Sequence, residues 1–301
     1  MYNIKETPQD FIVNEITNIK LEKEGPYSIF LLKKEDYTTQ LAIALVARNL
    51  KVRQKEIGYA GNKDKKAITT QYISIKNMKQ QDLDLDRLKL TFKGYCSKPI
   101  CLGDLEGNEF IINVITENKP KELTQIVNYF GQQRFSTNNK NIGKLILKKN
   151  FKEAVELIIS DDQEKSKKLS PYLEKRKNDY VGALRLILPK LLKLYIHSYQ
   201  SYLWNKLAEK ESKSEENKKL PIIGFGTNPS KEILNLLKEE SIKIRDFIIR
   251  QIPELTAEGT YRELFTEIKE LNIKKEEKGY NLQFKLKKGC YATEVIRQLF
   301  S

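Results

Sequence analysis

The segment Gly61-Asn62-Lys63-Asp64-Lys65-Lys66 sets one carboxylate among three lysines on a short connection between two β-rich stretches. Neighbouring cations favour the ionised form of a carboxylate. As an anion, Asp64 is equipped to act as a base or a nucleophile. The same residue types also make an ordinary polar turn in which the aspartate bonds its own backbone. Two nucleotide-binding patterns fail here. A phosphate loop needs G-x-x-x-x-G-K-[ST] ahead of a helix, whereas Gly61 has no second glycine at that spacing and a strand follows it. The GTPase base-reading order Asn-Lys-x-Asp is broken because Lys65 stands where the acidic residue belongs.

Other chemistries are narrowed by what is scarce. The chain has one histidine, His197, and three cysteines, Cys96, Cys101 and Cys290. That excludes a His-rich metal site and an H-E-x-x-H zinc helix, and it argues against a Ser-His-Asp triad. The cysteines make neither a disulfide framework nor the close pair of a zinc knuckle. His197 reads as a structural residue of a helix. Chemistry is left to Asp, Glu, Lys, Tyr and Asn.

The elements that must position Asp64 are legible as strands first. Residues 10–16 and 27–32 are short and β-rich, and 57–60 and 68–75 flank the Asp64 loop as two more strands, with another at 110–115. Thr38 or Thr39 caps a helix running to Leu50. Leu123, Ile126, Val127 and Phe130 recur at helical spacing after Pro120, which predicts a helix up to Gly131. Helices are expected over 151–160, 191–210, 231–238 and 261–271, and the chain ends with a strand at 282–286 and a short helix. This order predicts an α+β protein. A mixed or antiparallel sheet domain, 1–150 with 271–301, is interrupted by a mostly helical α+β insertion, 151–270.

The chain has 301 residues, 54 Lys+Arg against 40 Asp+Glu, and a formal charge of +14. Such a surplus concentrates polyanions, nucleic acid first among them, although lysine-rich composition and mixed-sign runs such as 209–219 also make solvated surface. With 40% apolar residues, 15 Tyr and 12 Phe, the chain can bury a core. Its longest apolar run, Leu41 to Ala47, is too short to span a membrane, and Met1 to Lys5 carry no export signal. The expectation is a soluble cytoplasmic protein.

Several blocks, in order, resemble the TruD-type pseudouridine synthases. Residues 5–15 (KETPQDFIVNE) are similar to the family's K-x-x-P-x-D-F-x-V-x-E, and 60–71 (AGNKDKKAITTQ) to its A-G-x-K-D-x-x-A-x-T-x-Q. Residues 102–110 (LGDLEGNEF), 128–135 (NYFGQQRF), 199–205 (YQSYLWN) and 289–293 (GCYAT) resemble four further family blocks. Cys290 departs from the usual serine, Ser136 from the glycine usual after Q-R-F, and 98–101 from the family's usual approach to the L-G-x-L block. The stretch before Asn128 is shorter than the family's. The resemblance implies isomerisation of a uridine in tRNA, commonly uridine 13, or in another structured RNA, without metal or organic cofactor. It gives Asp64 the role of catalytic carboxylate and Lys5 a place beside it. It implies contacts to the target nucleotide for Phe11, Asn128 and Tyr291, a need that arises when a base leaves its stack. Core packing is the competing role for Phe11 and Tyr291; Arg134 faces either a phosphate or an internal carboxylate, and Glu15 reads as structural. The sheet domain and the insertion are expected to form a basic cleft for RNA. The rival reading is a non-catalytic RNA-binding protein on the same fold.

Overall fold

The computed structural model describes residues 2–214 and 216–301; Met1 and Glu215, the latter inside the mixed-charge run 209–219, lie outside the described residues. The strand Phe11–Ile16 organises the first half of the chain. It pairs in parallel with Ile68–Lys76, Ile12 opposite Ile68 and Asn14 opposite Thr70. On its other edge it pairs antiparallel with Gly107–Ile115, Val13 opposite Phe110. Among the described residues nine strands form one mixed, mostly antiparallel sheet. Its order runs from the hairpin Lys269–Glu276 and Gly279–Lys287 through Gly107–Ile115, Phe11–Ile16, Ile68–Lys76, Tyr27–Glu35 and Leu88–Cys96 to Leu83–Leu85, with Ile57–Tyr59 also on Ile68–Lys76.

Two helices seal this sheet. Thr39–Leu50 is capped by the Thr38 hydroxyl, which accepts from the Leu41 N–H, satisfying one of the amides that a helix start leaves orphaned. Its Ala42, Ile43, Val46 and Ala47 pack into a core with Phe30, Leu32, Ile73, Ile75, Leu88 and Leu90. The terminal helix Ala292–Leu299 buries Val295, Ile296 and Leu299 with Phe11, Val13, Phe110, Ile112, Leu282 and Phe284. Alternation along the strands supplies these faces, because successive side chains point to opposite sides of a sheet.

The chain divides into two compact units: residues up to Ile126 with Thr266–Ser301, and Val127–Phe265. Residues 127–150, which the sequence pattern assigned to the sheet domain, group with the second unit. The helix Asn139–Leu147 buries Ile142, Ile146 and Leu147, and its Gly143 sits against the backbone of Tyr195 on the long helix Pro189–Glu211. A Cβ at Gly143 would collide with the Tyr195 carbonyl oxygen. Gly143→Ala is therefore expected to destabilise the protein by about 1–3 kcal/mol through overpacking, despite alanine's better helix propensity; denaturant unfolding of the two proteins measures it.

Two expected helices are strands instead. Residues 120–131 contain no helix; Gln125–Val127 is a strand, with the Thr124 carbonyl accepting from Ile268 N–H and the Asn128 N–H donating to Leu264. Residues 261–271 belong to the strands Thr260–Glu263, Phe265–Glu267 and Lys269–Glu276. In both places β-branched and aromatic residues satisfy strand pairing as readily as helical spacing, and tertiary pairing decides. No helix among the described residues is long and apolar enough to cross a membrane.

Candidate active site

The parallel pairing of Phe11–Ile16 with Ile68–Lys76 has a direct consequence for Asp64. Parallel strands begin at the same end of a sheet, so the segment entering at Phe11 and the loop entering at Ile68 emerge side by side. Lys5 lies on the first and Asp64 on the second. The Lys5 Nζ reaches Asp64 Oδ2 at 2.5 Å across 59 residues of sequence, with side chains 17% and 36% exposed respectively. Asp64 Oδ1 has no hydrogen-bond partner among the described residues, so one carboxylate oxygen is held and the other is available. Lys5 takes a left-handed backbone, φ 61°, a conformation that costs energy for a residue with a Cβ and persists where its surroundings impose it.

Phe11 lies beneath this pair. Its ring is 2% exposed and stands edge-on to Phe110 at 6.2 Å. The Lys5 ammonium sits 3.8 Å from its centroid, within reach of a cation–π attraction. Phe11 thus takes the competing role of core packing, and one face of its ring also carries the Lys5 ammonium.

The underside of the loop is a buried polar lattice. Lys63 Nζ donates to Glu15 Oε2 at 2.7 Å, with side chains only 5% and 1% exposed. Glu15 Oε1 also accepts from the Tyr72 N–H at 3.2 Å. The Lys63 N–H donates to Thr39 Oγ1 at 2.8 Å, and Gln71 Nε2 donates to the Gly61 carbonyl at 3.1 Å. Thr39 Oγ1 in turn donates to Gln71 Oε1 at 3.2 Å. Gly103, at φ +96°, gives its N–H to the Ala60 carbonyl at 2.8 Å where the loop begins. Lys34, fully buried, adds two bonds from its ammonium, to the Asp64 carbonyl at 2.8 Å and the Tyr37 carbonyl at 2.6 Å. Burial pushes the Lys34 ammonium down to about 8, aided by the Lys63 ammonium and opposed by the Asp64 carboxylate.

Gln71 closes the 60–71 block, but Thr39 and Lys34 escape a motif reading, and a lysine in a strand reads as surface. The strand's own pattern carries the signal: Ser28, Phe30, Leu32 and Lys34 fall on one buried row. Glu15 is the structural anchor its surroundings suggested.

Tyr291 is in the same unit, half-buried at the cap of the terminal helix, where its carbonyl accepts from Glu294 N–H at 3.0 Å. The neighbouring Cys290 thiol meets the buried Thr266 hydroxyl at 3.3 Å. Asn128 belongs to the other unit and is buried. There Arg262 clamps it, Nε to the Asn128 carbonyl at 2.9 Å and an Nη to Oδ1 at 2.6 Å. Its Nδ2 donates to the Glu263 carbonyl at 3.2 Å. Arg262 also lies 4.2 Å from the Phe130 ring centroid and 5.4 Å from that of Trp204.

The blocks 128–135 and 199–205 lock onto each other within this second unit. Asn205 brackets Phe130, accepting its N–H and donating to its carbonyl, both at 2.9 Å. Arg134 Nε donates to Ser201 Oγ at 2.7 Å, so it serves the fold through a hydroxyl rather than a carboxylate. His197 is on the exposed face of the long helix. Among the described residues no cluster of three or more His, Cys, Asp or Glu is arranged to hold a metal.

A solved structure shares this fold over nearly its full length. The crystal structure of the Methanosarcina mazei chain assigned to tRNA pseudouridine synthase D (TruD) superposes with a TM-score of 0.75 and 27% identity, covering 99% of this chain and 93% of that one. The fold, with its carboxylate loop entering a mixed sheet, is of the pseudouridine synthase class. More narrowly, the model of the family described as tRNA pseudouridine synthase D (TruD) matches residues 2–172, 164–224 and 218–299. The chain belongs to that family. A protein assigned as tRNA pseudouridine synthase D in Nanoarchaeum equitans is 32% identical, over 99% of this chain and 98% of its own. The tRNA pseudouridine synthase D of Aquifex aeolicus is 29% identical, over 99% and 97%.

Proposed function

We propose that this protein isomerises one uridine of tRNA, uridine 13, to pseudouridine, with Asp64 as the reacting carboxylate and no cofactor. The observation that carries the reading is the Lys5–Asp64 pair, which holds one carboxylate oxygen and leaves the other open on a loop fastened from below. Membership of the TruD family supports tRNA as the substrate class.

In the reaction the bond from uracil N1 to ribose C1′ breaks, the base turns, and C5 bonds to C1′. The C5 proton leaves and N1 ends protonated, so composition is unchanged. Asp64 serves this by attacking C1′ to give a glycosyl ester, or by removing the C2′ proton to give a glycal. Lys5 orients the carboxylate in either route, and Phe11 acts as the shelf under Lys5. Tyr291 and Asn128 are the proposed contacts to the flipped nucleotide.

Loss of the C5 proton gives a direct test. tRNA transcripts tritiated at uridine C5 are expected to release one equivalent of tritium to water when incubated with the protein and a chelator. Tight binding without release would favour the non-catalytic RNA-binding reading. The +14 charge makes a second prediction: if roughly six phosphates are neutralised, tRNA affinity falls about 10³-fold between 50 and 200 mM salt by counterion release. A filter-binding salt titration measures the slope, and a flat one would contradict a backbone-tracking surface.

A further inference from the structure

We propose that Lys34 is a positioning residue for the Asp64 carboxylate, acting as an internal strut whose ammonium grips the Asp64 main chain from inside the fold. The inference rests on the reading of Asp64 as the reacting group.

Lys34 sits one residue before the end of the strand Tyr27–Glu35, opposite Thr69 of the strand that leaves the loop. That register aims its side chain under the loop rather than at solvent. Its Nζ is shared between two carbonyls, one on the loop at Asp64 and one at Tyr37, just ahead of the helix Thr39–Leu50. The strut therefore ties the loop to the neighbouring strand and to the turn that starts the helix. Other fastenings hold the loop at Gly61, at Lys63 and at Ala67, whose carbonyl accepts from the Asp36 N–H. Lys34 is the only described side chain that bonds the main chain of Asp64 itself. Lys5 holds the carboxylate from one side, and Lys34 holds the peptide it hangs from.

A fold has little reason to bury an ammonium for stability, because desolvation opposes the charge. A buried lysine with no carboxylate bonded to it is instead consistent with a group kept for placement. Preorganisation at this level matters because displacing a reacting group by about 1 Å can cost about 10²-fold in rate.

The charged groups facing Lys34 are the Asp64 carboxylate and the Lys63 ammonium. With the ammonium held down to about 8 by burial, the closed loop binds fewer protons than an opened one between pH 8 and the ordinary lysine range near 10.4. Linkage then makes the closed loop more stable as pH rises through that window. A neutral amine still has two hydrogens for its two carbonyls, so the strut survives deprotonation.

Two measurements test this. In hydrogen exchange, which needs no substrate, Lys34→Met is expected to raise exchange of the 61–67 amides about tenfold or more, leaving the strand Ile68–Lys76 unchanged. Equal exchange in both proteins would overturn the strut. Should Lys34→Met not fold, Lys34→Gln, which keeps a donor but is one atom too short to reach both carbonyls, serves in the same comparison, and exchange of 61–67 equal to that of the wild type would again overturn the strut. In single-turnover kinetics, at a temperature where both proteins are folded, Lys34→Met is expected to lower the rate of pseudouridine formation about 10²-fold with tRNA affinity unchanged. An unchanged rate, or a loss of affinity that accounts for the whole effect, would overturn the positioning role. A wild type that converts no uridine would overturn the reading of Asp64 and the catalytic consequence with it, and the exchange result would still decide the anchoring.

Discussion

Asp64→Asn is expected to lower the single-turnover rate of pseudouridine formation by at least about 10³-fold, at the upper part of the range for a positioned acid–base group, while tRNA binding is unchanged or slightly tighter. The two halves of that expectation have separate causes. Asparagine keeps the shape of the side chain but has neither the negative charge to attack C1′ nor the basicity to take a proton. Loss of the charge also frees Lys5, whose ammonium is paired with Asp64 Oδ2, and removes one negative charge from a surface that must meet phosphates. Rapid-quench kinetics with a parallel binding titration separates the two. A variant that loses rate and affinity in step would indicate that Asp64 is a binding residue. A variant that keeps its rate would remove Asp64 from the chemistry.

The second large effect is on stability. Glu15→Ala is expected to cost about 3–5 kcal/mol, the range for stranding one member of a buried pair. Lys63 is almost fully enclosed, and its ammonium is bonded to Glu15. The substitution also strips the Tyr72 N–H of its acceptor. Because Lys63 adjoins Asp64, the damage falls on the reacting loop before it reaches the sheet. Lys63→Met in the Glu15→Ala background is expected to restore part of the loss, since it removes the unpaired charge, and a double-mutant cycle by denaturant unfolding gives the coupling. A single variant within about 0.5 kcal/mol of wild type, the range of an uninvolved surface position, would mean that water reaches the pair.

The strand framework around the loop follows closely from local pattern. The stretches 57–60 and 68–75 are the strands Ile57–Tyr59 and Ile68–Lys76, and the Thr38 cap and the terminal helix stand where the sequence sets them. Residues 120–131 and 261–271 carry a helical pattern yet contain strands for one reason. Ile126 and Val127, or Leu264 and Phe265, fit a helical stripe as well as a strand, and the choice is made by partners distant in sequence, such as Leu264 for Asn128. The grouping of 127–150 was hidden likewise, because Gly143 reveals its purpose only against Tyr195 of the long helix.

At the site, Lys5 and Asp64 are legible only through their motif blocks, since nothing local says that residues 59 apart will meet; the parallel register brings them together. Phe11 is legible as an aromatic, but its place beneath Lys5 is not. Lys34 and Arg262 are the hardest, because each looks like surface charge in the sequence and works from the inside, one on the Asp64 main chain and the other on Asn128.

The central claim is that this chain makes pseudouridine with Asp64. Its most direct test maps pseudouridine at nucleotide resolution in unmodified tRNA transcripts after incubation with wild type and Asp64→Asn, side by side. Conversion of uridine 13 by the wild type alone, with both proteins binding the transcript, is the expected result. Wild-type protein that binds tRNA tightly and converts no uridine would contradict the account.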